Sequence, residues 1–368
     1  MKHSILLTGA TGMVGQELLP LLIRREDVDK IFAFVRVTPR QDCSYKMVPV
    51  CGDVTAGANL GLSAAVSGEI MGAATIMIHA AADTQFAAPL EQARMVNLEG
   101  TRNVLAFASR CPRQRAIVAL STVHVAGRRT GTIGEDDLLH TAGFVNSYEQ
   151  SKYEAEILLR ERMGELPISI LRLSTVLGDS TTGKVGKLAA VHHALRLCYN
   201  SLAPMVPGTP DSAVDLIALD YVAAAVAHFA IDGFQAGRTF HLCGGKDVMT
   251  ISELLERTRE AFLQHRPSWR KRGIEMPAIV DLPTFELFAR SVEEVGDSLL
   301  RSSVAVIKHF APQLAYPKIF GDTVGANSLR AAAIVRPAAA EFYPKVVRWL
   351  VETGWAGHGN PAKAAAGD

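Results

Sequence analysis

The segment YEQSK places a tyrosine phenol, Tyr148, four residues before a lysine ammonium, Lys152. On a helix this spacing puts both side chains on one face, within reach of one site. A free tyrosine has a pKa near ~10, and a neighbouring ammonium is expected to lower the pKa of Tyr148. Such a pair can exchange a proton with a carbonyl or hydroxyl oxygen, so the spacing indicates general acid–base chemistry. A solvated helix pair is the alternative, because this spacing is common by chance.

Two hydroxyl side chains lie in LSTVHVAG, residues 120–127, directly after an apolar run typical of a strand. Ligands of open α/β sheets bind at the carboxyl ends of the strands, where this segment should lie. We therefore assign Thr122 to orienting a substrate carbonyl, with Ser121 as the second candidate. The alternative is a pair of hydroxyls that bond only to backbone at the strand end. His124 either lines the substrate pocket or is a partly buried histidine without a chemical role.

A glycine-rich segment, TGATGMVG, follows the first apolar run and opens the first amphipathic one. In that context Gly9 permits a tight turn, Gly12 lets a pyrophosphate approach the backbone, and Gly15 lets the helix pack on the sheet. The N-terminus of the helix then faces the anionic phosphates. A strand-to-helix turn without a ligand is the alternative. The dinucleotide-binding residues predicted in this segment are Thr8, Gly9, Thr11, Gly12, Met13, Val14 and Gly15.

The second apolar run should end beside the adenine ribose of such a dinucleotide, where NAD-binding chains place an acidic residue. Here that position holds Arg36, Arg40 follows closely, and residues 31–41 contain no Asp or Glu. Guanidinium groups match a 2′-phosphate, so the sequence predicts NADPH, with a solvated loop arginine as the alternative. Asp53, followed by Val54, is placed to meet the adenine amino group, although a turn-capping aspartate fits the spacing equally well.

The composition indicates which kinds of partner and which cellular compartment are compatible with the chain. Of 368 residues, 48% are hydrophobic, which is enough for a large core. Lys plus Arg (38) nearly cancel Asp plus Glu (37), so nothing indicates nucleic acid or an anionic membrane surface as a partner. The five scattered cysteines show no metal-ligand spacing and fit a reducing compartment. No apolar run is typical of a signal peptide or a membrane span, so we expect a cytoplasmic protein with a small-molecule partner and no metal.

Short apolar runs alternate with longer amphipathic stretches through about residue 175. This alternation is typical of βαβ units that build a parallel sheet. Strands are predicted at 4–8, 30–36, 46–50, 74–80, 115–120, 168–173 and 238–243. Helices are predicted at 13–25, 89–110, 147–163, from 250 onward, at 292–309 and at 341–353.

The predicted fold class is α/β: a Rossmann-type, doubly wound parallel sheet with a smaller C-terminal substrate-binding cap. Residues 1–175 are expected to form the NADP-binding domain, to which part of residues 205–245 returns. Residues 176–355 are expected to form the cap, which is mostly helical. The Ala-, Gly- and Lys-containing end, residues 356–368, is expected to be a disordered tail.

Five segments, in their order and spacing, resemble the extended short-chain dehydrogenase/reductase family over about residues 1–245. Within that family the chain looks most like the thioester reductase and fatty acyl-CoA reductase branch. The five segments are TGATGMVG, HAAADTQF, NLEGTRNVL, LSTVHVAG and YEQSKYEAE. The resemblance implies that the cofactor's path is lined by Ala80, Ala81 and Ala82, that the nicotinamide lies near Thr175 and Val176, that the substrate lies near Asp83 and Phe86, and that the catalytic site is supported by Asn97.

Together these residues predict an NADPH-dependent reductase. Tyr148 gives a proton to a carbonyl oxygen that Thr122 holds, while Lys152 keeps the tyrosine primed and bonds the nicotinamide ribose. The resemblance implies an acyl thioester as the substrate, or the aldehyde derived from it. The 368 residues include no adenylation or carrier domain. A thioester is therefore expected to arrive on CoA or a separate carrier protein, and a homodimer is left open.

Two other classes of function remain as alternatives. One is a sugar-nucleotide epimerase or dehydratase, or a hydroxysteroid-type dehydrogenase, on the same scaffold. Dehydratases of this family carry an Asp-Glu pair after the active-site threonine, whereas this chain has Val123 and His124 there. The other is a regulator that binds NADP without chemistry. Such regulators typically lack the tyrosine and lysine pair that is present here.

Overall fold

The computed structural model describes residues 2–35, 44–265, 275–296 and 298–356. The strands are β1 His3–Thr8, β2 Val28–Val35, β3 Met47–Cys51, β4 Ile76–His79, β5 Ala116–Thr122, β6 Gly131–Ile133, β7 Ile168–Leu173, β8 Thr175–Val176, β9 Met205–Pro207, β10 Ala213–Val214, β11 Leu216–Ile217, β12 Arg238–Leu242, β13 Met249–Thr250, β14 Ala278–Val280 and β15 Lys318–Phe320. The helices are α1 Met13–Arg24, α2 Ala64–Ala73, α3 Leu90–Arg94, α4 Gly100–Ala108, α5 Ser147–Glu161, α6 Ala190–Tyr199, α7 Leu219–Ala230, α8 Ile251–His265, α9 Leu282–Val295, α10 Ser298–Ile307, α11 Thr323–Ala331 and α12 Ala339–Glu352.

Seven of the strands in these ranges form one sheet, in the order β12-β7-β5-β4-β1-β2-β3. Every neighbouring pair in it is parallel. The chain runs outward from β1 to β2 and β3 on one side, and to β4, β5, β7 and β12 on the other. This reversal makes a crevice beyond the carboxyl ends of β1 and β4. The predicted α/β class with a doubly wound parallel sheet is confirmed.

Both faces of the sheet are covered, because successive strand residues point to opposite sides. In β1, Ile5 and Leu7 belong to one buried cluster, which includes residues of α1 and α7. Leu6 belongs to the other cluster, with residues of α2, α4 and α5. Among the described residues, no helix combines the length and apolar character needed to cross a membrane.

The strands of the central sheet follow the sequence-based predictions closely, whereas α2 and α7 were not predicted and the predicted helix at 292–309 is wrong. The structure has two helices there, α9 and α10. α9 begins much earlier, because Asp281 caps it by accepting from the Thr284 amide at 2.9 Å. It ends at Gly296, whose backbone is extended. Asp281 and Gly296, which mark the two ends of α9, are visible in the sequence. The apolar residues of α10 nevertheless led to the prediction of one helix across the gap between α9 and α10.

The later part of the chain contributes to the sheet and to smaller pairings beside it. α7 belongs to the same buried cluster as α1, and β12 extends the sheet next to β7. Outside the sheet, β15 pairs with β6, and β14 pairs with β9. The division into a domain at 1–175 and a cap at 176–355 stays a prediction. The predicted tail, apart from Ala356, lies outside the described residues.

A buried ion pair joins α5 to the sheet. The Glu156 carboxylate accepts from Arg172 Nη2 at 2.6 Å and from its Nε at 3.0 Å. Both side chains are buried, and Arg172 Nη1 also meets His241 Nε2 at 3.0 Å. Arg160 lies 3.2 Å from the same carboxylate. The two charges compensate each other, so removing only one would leave the other uncompensated in the interior.

Replacing Glu156 with glutamine is expected to lower the free energy of unfolding by about 3–5 kcal/mol, because the Arg172 guanidinium loses its counter-charge. Urea denaturation followed by circular dichroism measures this. The double substitution Glu156→Leu with Arg172→Met should cost less than Glu156→Gln, since it removes both charges. Glu69→Gln, which breaks the exposed pair with Lys30, is the control and should cost below ~1 kcal/mol. Equal losses for Glu156→Gln and Glu69→Gln would contradict this account.

Candidate active site

The first turn of α5 carries Tyr148, and the start of that helix is fixed by a side-chain cap. Asn146 Oδ1 accepts from the Glu149 amide at 3.0 Å, which satisfies a donor that a helix leaves free. The Tyr148 ring is partly exposed and packs edge to face on Phe86, with ring centroids 5.4 Å apart. Thr122 ends β5, and its side chain lies close enough to the Tyr148 phenol to affect the pKa of the phenol. The structure thus brings the predicted pair Tyr148 and Thr122 together.

Lys152 follows one turn later on the same helix, and its amine is directed at β5. Nζ donates to the Leu120 carbonyl at 2.8 Å, and the side chain is buried. Burial lowers the pKa of Lys152 to about 8, while the negative charge of Glu156 opposes this change. The lysine therefore anchors α5 to the strand that carries Thr122, besides lying near the tyrosine.

Burial raises the pKa of Tyr148 to about 12. The nearby Thr122 side chain opposes this rise, and the charge of Glu149 adds to it. The lowering by Lys152 that the sequence led us to expect is not found: the Lys152 ammonium bonds to the Leu120 carbonyl, and loss of water around the phenol disfavours the phenolate. Tyr148 consequently keeps its proton at neutral pH, and the site presents it as a proton donor.

Asn97 links the segment after β4 to α5. Its Nδ2 donates to the Asp83 carbonyl and to Ser151 Oγ, both at 2.9 Å, and its Oδ1 accepts from the Asp83 amide at 2.8 Å. Asn97 is buried in a π-helical turn, Met95–Glu99, a feature that is frequent at functional sites. Both Nδ2 protons are engaged by protein groups. We therefore regard Asn97 as a positioning residue.

His79 was given no role from the sequence, yet it joins three elements beneath the site. The Thr101 hydroxyl donates to the Asn97 carbonyl at 2.6 Å, so it must accept from His79 Nε2, 3.1 Å away. His79 Nδ1 then accepts from the Thr8 hydroxyl at 2.8 Å. Burial lowers the pKa of His79 to about 3, so the ring is neutral. Its only sequence signal is a single histidine at the end of an apolar strand.

Thr8, predicted to bind the cofactor, has its side chain engaged in that buried network. Its Oγ1 also accepts from the Ala81 amide at 3.3 Å. Thr8 is buried, so it fixes the end of β1 against the segment after β4 and does not present its hydroxyl to a ligand. This corrects the expectation for its side chain.

Ser121 does not take part in the site, which corrects its assignment as second catalytic candidate. Its Oγ donates to Glu156 Oε2 at 2.8 Å, inside the buried ion pair. Since successive residues of a strand point to opposite faces, Ser121 and Thr122 cannot both face the cleft. The hydroxyl of Ser121 instead helps to satisfy the Glu156 carboxylate.

The turn between β1 and α1 has a shape that side chains would block. Gly9 has φ +74°, and a Cβ there would lie 2.5 Å from the Ala80 carbonyl carbon. A Cβ on Gly15 would lie 2.2 Å from the Gly9 carbonyl oxygen. Gly12 occupies the N-cap of α1 and offers no side chain to its first amides, which leaves them to an anion. The turn therefore fits a dinucleotide pyrophosphate. Besides Gly9 and Gly12, the accessible residues of the turn and first helical positions are Thr11, Met13 and Val14.

Other residues expected near the cofactor lie at the same edge of the sheet. Ala80, Ala81 and Ala82 follow β4 directly, and all three are at least partly exposed. Thr175 and Val176 form β8, two residues beyond the end of β7, and are also partly exposed. Because the strands are parallel, these segments share the carboxyl edge with the glycine turn.

Asp53, Val54 and Arg36 were expected around the adenine end of the cofactor. Asp53 Oδ1 accepts from the amide and the hydroxyl of Thr55, both at 2.8 Å, which is the turn-capping arrangement. The Asp53 side chain is exposed, and Val54 is buried. Arg36 and Arg40 lie outside the described residues.

Three residues were expected on the substrate side. Phe86 contacts the Tyr148 ring and the Phe310 ring, the latter with centroids 6.1 Å apart. Asp83 Oδ1 accepts from the Gln85 amide at 3.0 Å. His124 Nδ1 is buried with no hydrogen-bond partner among the described residues, and burial lowers the pKa of His124 to about 4. His124 is therefore neutral at neutral pH.

Comparison with known sequences identifies a family. A family model described as male sterility protein matches residues 7–226, which include the glycine turn, the Tyr148 helix and the strand that carries Thr122. The aldehyde reductase lnbA of Aspergillus flavus is 27% identical over 279 residues, or 68% of this chain and 27% of that protein. The chain spans about a quarter of the length of the fungal curated relatives of this kind that it matches.

Solved structures share the fold over nearly the whole chain. The terminal R domain from the myxalamid PKS-NRPS biosynthetic pathway superposes with a TM-score of 0.80 and 26% identity, over 96% of this chain and 92% of that one. A thiolation-reductase di-domain from an archaeal non-ribosomal peptide synthetase gives a TM-score of 0.69 at 19% identity, over 95% of this chain and 75% of that one. The second likeness shows the fold alone.

Replacing Gly9 with alanine is expected to destabilise the protein by at least ~2 kcal/mol and to prevent dinucleotide binding, because a Cβ there meets backbone that cannot move away. Urea denaturation and the fluorescence change on titration with NADPH measure the two effects. Gly57→Ala is the matched control: Gly57 has φ +73° but no heavy atom within 4 Å of the added Cβ. It should cost about 1 kcal/mol and leave binding intact. Equal behaviour of the two variants would show that contact with Ala80 is unimportant.

Proposed function

Since this chain belongs to the male sterility protein family, within the extended short-chain dehydrogenases/reductases, we propose that it reduces a carbonyl with NADPH. The proposed substrate is an acyl thioester carried by CoA or a carrier protein, or the aldehyde formed from it. A cytoplasmic location and a homodimer stay predictions from the sequence.

The observation that carries the proposal is the proximity of Tyr148 and Thr122 at the edge of the sheet that also carries the glycine turn. Thr122 ends β5 and Thr8 ends β1, and β4 lies between these two strands. Two strand spacings separate them, which is about 10 Å. A dinucleotide held by its phosphates at the turn can therefore extend towards the phenol.

The protein's own groups control the proton and the substrate oxygen. When bound, a reduced nicotinamide supplies the hydride. The hydroxyls of Tyr148 and Thr122 converge at one place, so both can hydrogen bond to a carbonyl oxygen there. Tyr148, which keeps its proton at neutral pH, donates that proton as negative charge develops on the oxygen. Lys152 holds the helix in register through the Leu120 carbonyl.

With a thioester, a hydride on carbon and a proton on oxygen give a hemithioacetal. Its C–S bond then breaks to leave an aldehyde and a thiol, so no covalent acyl-enzyme is needed. Buried cysteines would be poor nucleophiles in any case: burial raises the pKa of Cys111 to about 11 and that of Cys198 to about 12. Reduction of the aldehyde by a second hydride would use the same two hydroxyls.

Relatives support this substrate class. The names of the matched proteins include an aldehyde reductase and a terminal R domain of a PKS-NRPS pathway. The thiolation-reductase di-domain is a structure in which a domain of this fold accompanies a thiolation domain. These likenesses favour a thioester or aldehyde over a sugar nucleotide as the compound reduced here. A spectrophotometric screen of NADPH oxidation with acyl-CoAs, aldehydes, ketones and sugar nucleotides tests the proposal, which fails if no carbonyl compound is reduced.

The proposed preference for NADPH rests on the positively charged residues in the segment that follows β2. That strand ends at Val35, at the carboxyl edge of the sheet, next to the end of β3. Residues 31–41 contain no carboxylate and include Arg36 and Arg40. Guanidinium groups in the segment that follows β2 would favour a 2′-phosphate.

Replacing Tyr148 with phenylalanine should reduce turnover by about 10²–10⁴-fold, because the proton donor is lost while the ring is kept. Steady-state NADPH oxidation measures kcat, and a fluorescence titration should give an NADPH Kd within about twofold of the unsubstituted protein. Tyr153→Phe is the control, since Tyr153 is on the same helix and packs against His140 and Phe144. Undiminished turnover in Tyr148→Phe would refute the assignment of the proton donor.

Replacing Arg36 with alanine is expected to weaken NADPH binding by about 10- to 100-fold, the effect of losing a hydrogen bond to a charged group. Binding of NADH, which has no 2′-phosphate, should change less than about threefold. Isothermal titration calorimetry with both dinucleotides measures the ratio. Arg330→Ala, on the exposed side of α11, is the control. A parallel loss for NADH and NADPH would argue against a 2′-phosphate contact.

A further inference from the structure

One segment outside the family-matched part of the chain, residues 309–318, contacts the start of α5 at several points. Asn146, the N-cap of α5, donates through Nδ2 to the His309 carbonyl at 2.9 Å. The Phe310 ring contacts the Phe86 ring, which packs in turn on Tyr148. We call residues 309–318 the clamp segment. It touches both the backbone cap and the aromatic surroundings of the tyrosine.

The strongest link from the clamp segment runs through a bridging amide. Gln313 Nε2 donates to Glu149 Oε1 at 2.5 Å, and Gln313 Oε1 accepts from Lys318 Nζ at 2.9 Å. The amide orientation follows from its partners, because a carboxylate needs a donor and an ammonium needs an acceptor. Lys318 also donates to the Tyr316 carbonyl at 2.8 Å. A buried cation is thereby connected to the carboxylate that directly follows Tyr148 in the chain.

Burial strengthens the interaction between Glu149 and Lys318. Glu149 is 1% exposed and Lys318 is 7% exposed, so water does little to weaken their interaction. The groups facing the Glu149 carboxylate come from three segments: Val145 and Asn146 before α5, Gln313 and Lys318 of the clamp segment, and Arg128.

These groups set the protonation of Glu149. Burial raises the pKa of Glu149 to about 7, against the hydrogen bonds and the charges of Lys318 and Arg128. The charge of Glu149 in turn raises the pKa of Tyr148. Glu149 is therefore the group through which the clamp segment influences the phenol.

We propose that Gln313 and Lys318 are positioning residues for the reaction: acting through Glu149, they hold the first turn of α5 and thereby the Tyr148 hydroxyl beside Thr122. The inference rests on the proposed function and adds residues that lie beyond the family-matched region 7–226. Neither side chain contacts the substrate oxygen in this role. Their loss should act on the chemical step, because the phenol is misplaced while the dinucleotide turn is unaffected.

The test uses the full chain and the substitutions Gln313→Leu and Lys318→Met, which keep approximate size and remove the bridge. Each should lower kcat with NADPH and a reducible aldehyde by about tenfold, the factor for one charge-assisted hydrogen bond, while the NADPH Kd stays within about twofold. Lys318→Arg keeps the charge and should retain most of kcat. Lys30→Met, which removes an exposed ion pair with Glu69, is the matched control and should behave as the unsubstituted chain.

A second readout separates positioning from general damage and does not need turnover. Glutamate labelled with ¹³C at the carboxyl carbon reports the titration of Glu149, assigned by the signal missing in Glu149→Gln. Both Gln313→Leu and Lys318→Met remove a group that lowers the pKa of Glu149, so its midpoint should move up from about 7. Lys318→Arg should leave it near its original value. If Lys318→Met fails to fold by circular dichroism, Gln313→Leu decides.

Several results would overturn the inference. These are kcat unchanged in Gln313→Leu, a loss of kcat without movement of the Glu149 midpoint, or an equal loss in Lys30→Met. A different result would overturn the proposed function: none of the carbonyl compounds supports NADPH oxidation by the unsubstituted chain. In that event the Glu149 titration still shows whether the clamp segment controls the carboxylate, so the two failures are distinguishable.

Discussion

The site depends on how one helix is registered against one strand. Three consecutive residues of β5 each meet α5: Leu120 meets Lys152, Ser121 meets Glu156, and Thr122 meets Tyr148. The three helix residues are spaced by four, so they form one ridge along α5. Turning the helix by a single residue would break all three contacts together. The position of the phenol is thus fixed by three contacts, two of which do not involve the phenol itself.

The contacts that align α5 with β5 involve charged groups, which are costly to bury. The ridge contains an ammonium and a carboxylate, and the sheet adds Arg172. Each of these groups has a hydrogen-bond partner nearby: Glu156 bonds to Arg172 and Ser121, while Lys152 bonds to a carbonyl. Such groups contribute little net stability compared with apolar packing, but they tolerate few alternative arrangements. The polar interior behind the cleft is better explained by the need to aim Tyr148 than by the stability of the fold.

Much of this arrangement could be predicted from local sequence, and the exceptions share a physical cause. Alternating apolar runs predicted the sheet, and the glycine turn and the tyrosine–lysine spacing predicted the cleft, because these signals act within a few residues. The direction of the Tyr148 pKa shift was missed, since the shift comes mainly from burial of the phenol, which short-range sequence patterns do not reveal. Ser121 could have been excluded by strand alternation once Thr122 was chosen. Gln313 could not have been found, because its partner Glu149 lies far away in the chain.

The state of Tyr148 also bears on the direction of the reaction. A phenol whose pKa lies far above neutrality is present as the proton donor, which reduction of a carbonyl requires. Oxidation of an alcohol needs the phenolate as a base, and burial disfavours that form. The charge of Glu149 adds to this bias, and Lys318 and Arg128 favour the charged form of Glu149. Because Lys318 lies beyond residues 7–226, the surroundings of Tyr148 include groups from outside the family-matched region.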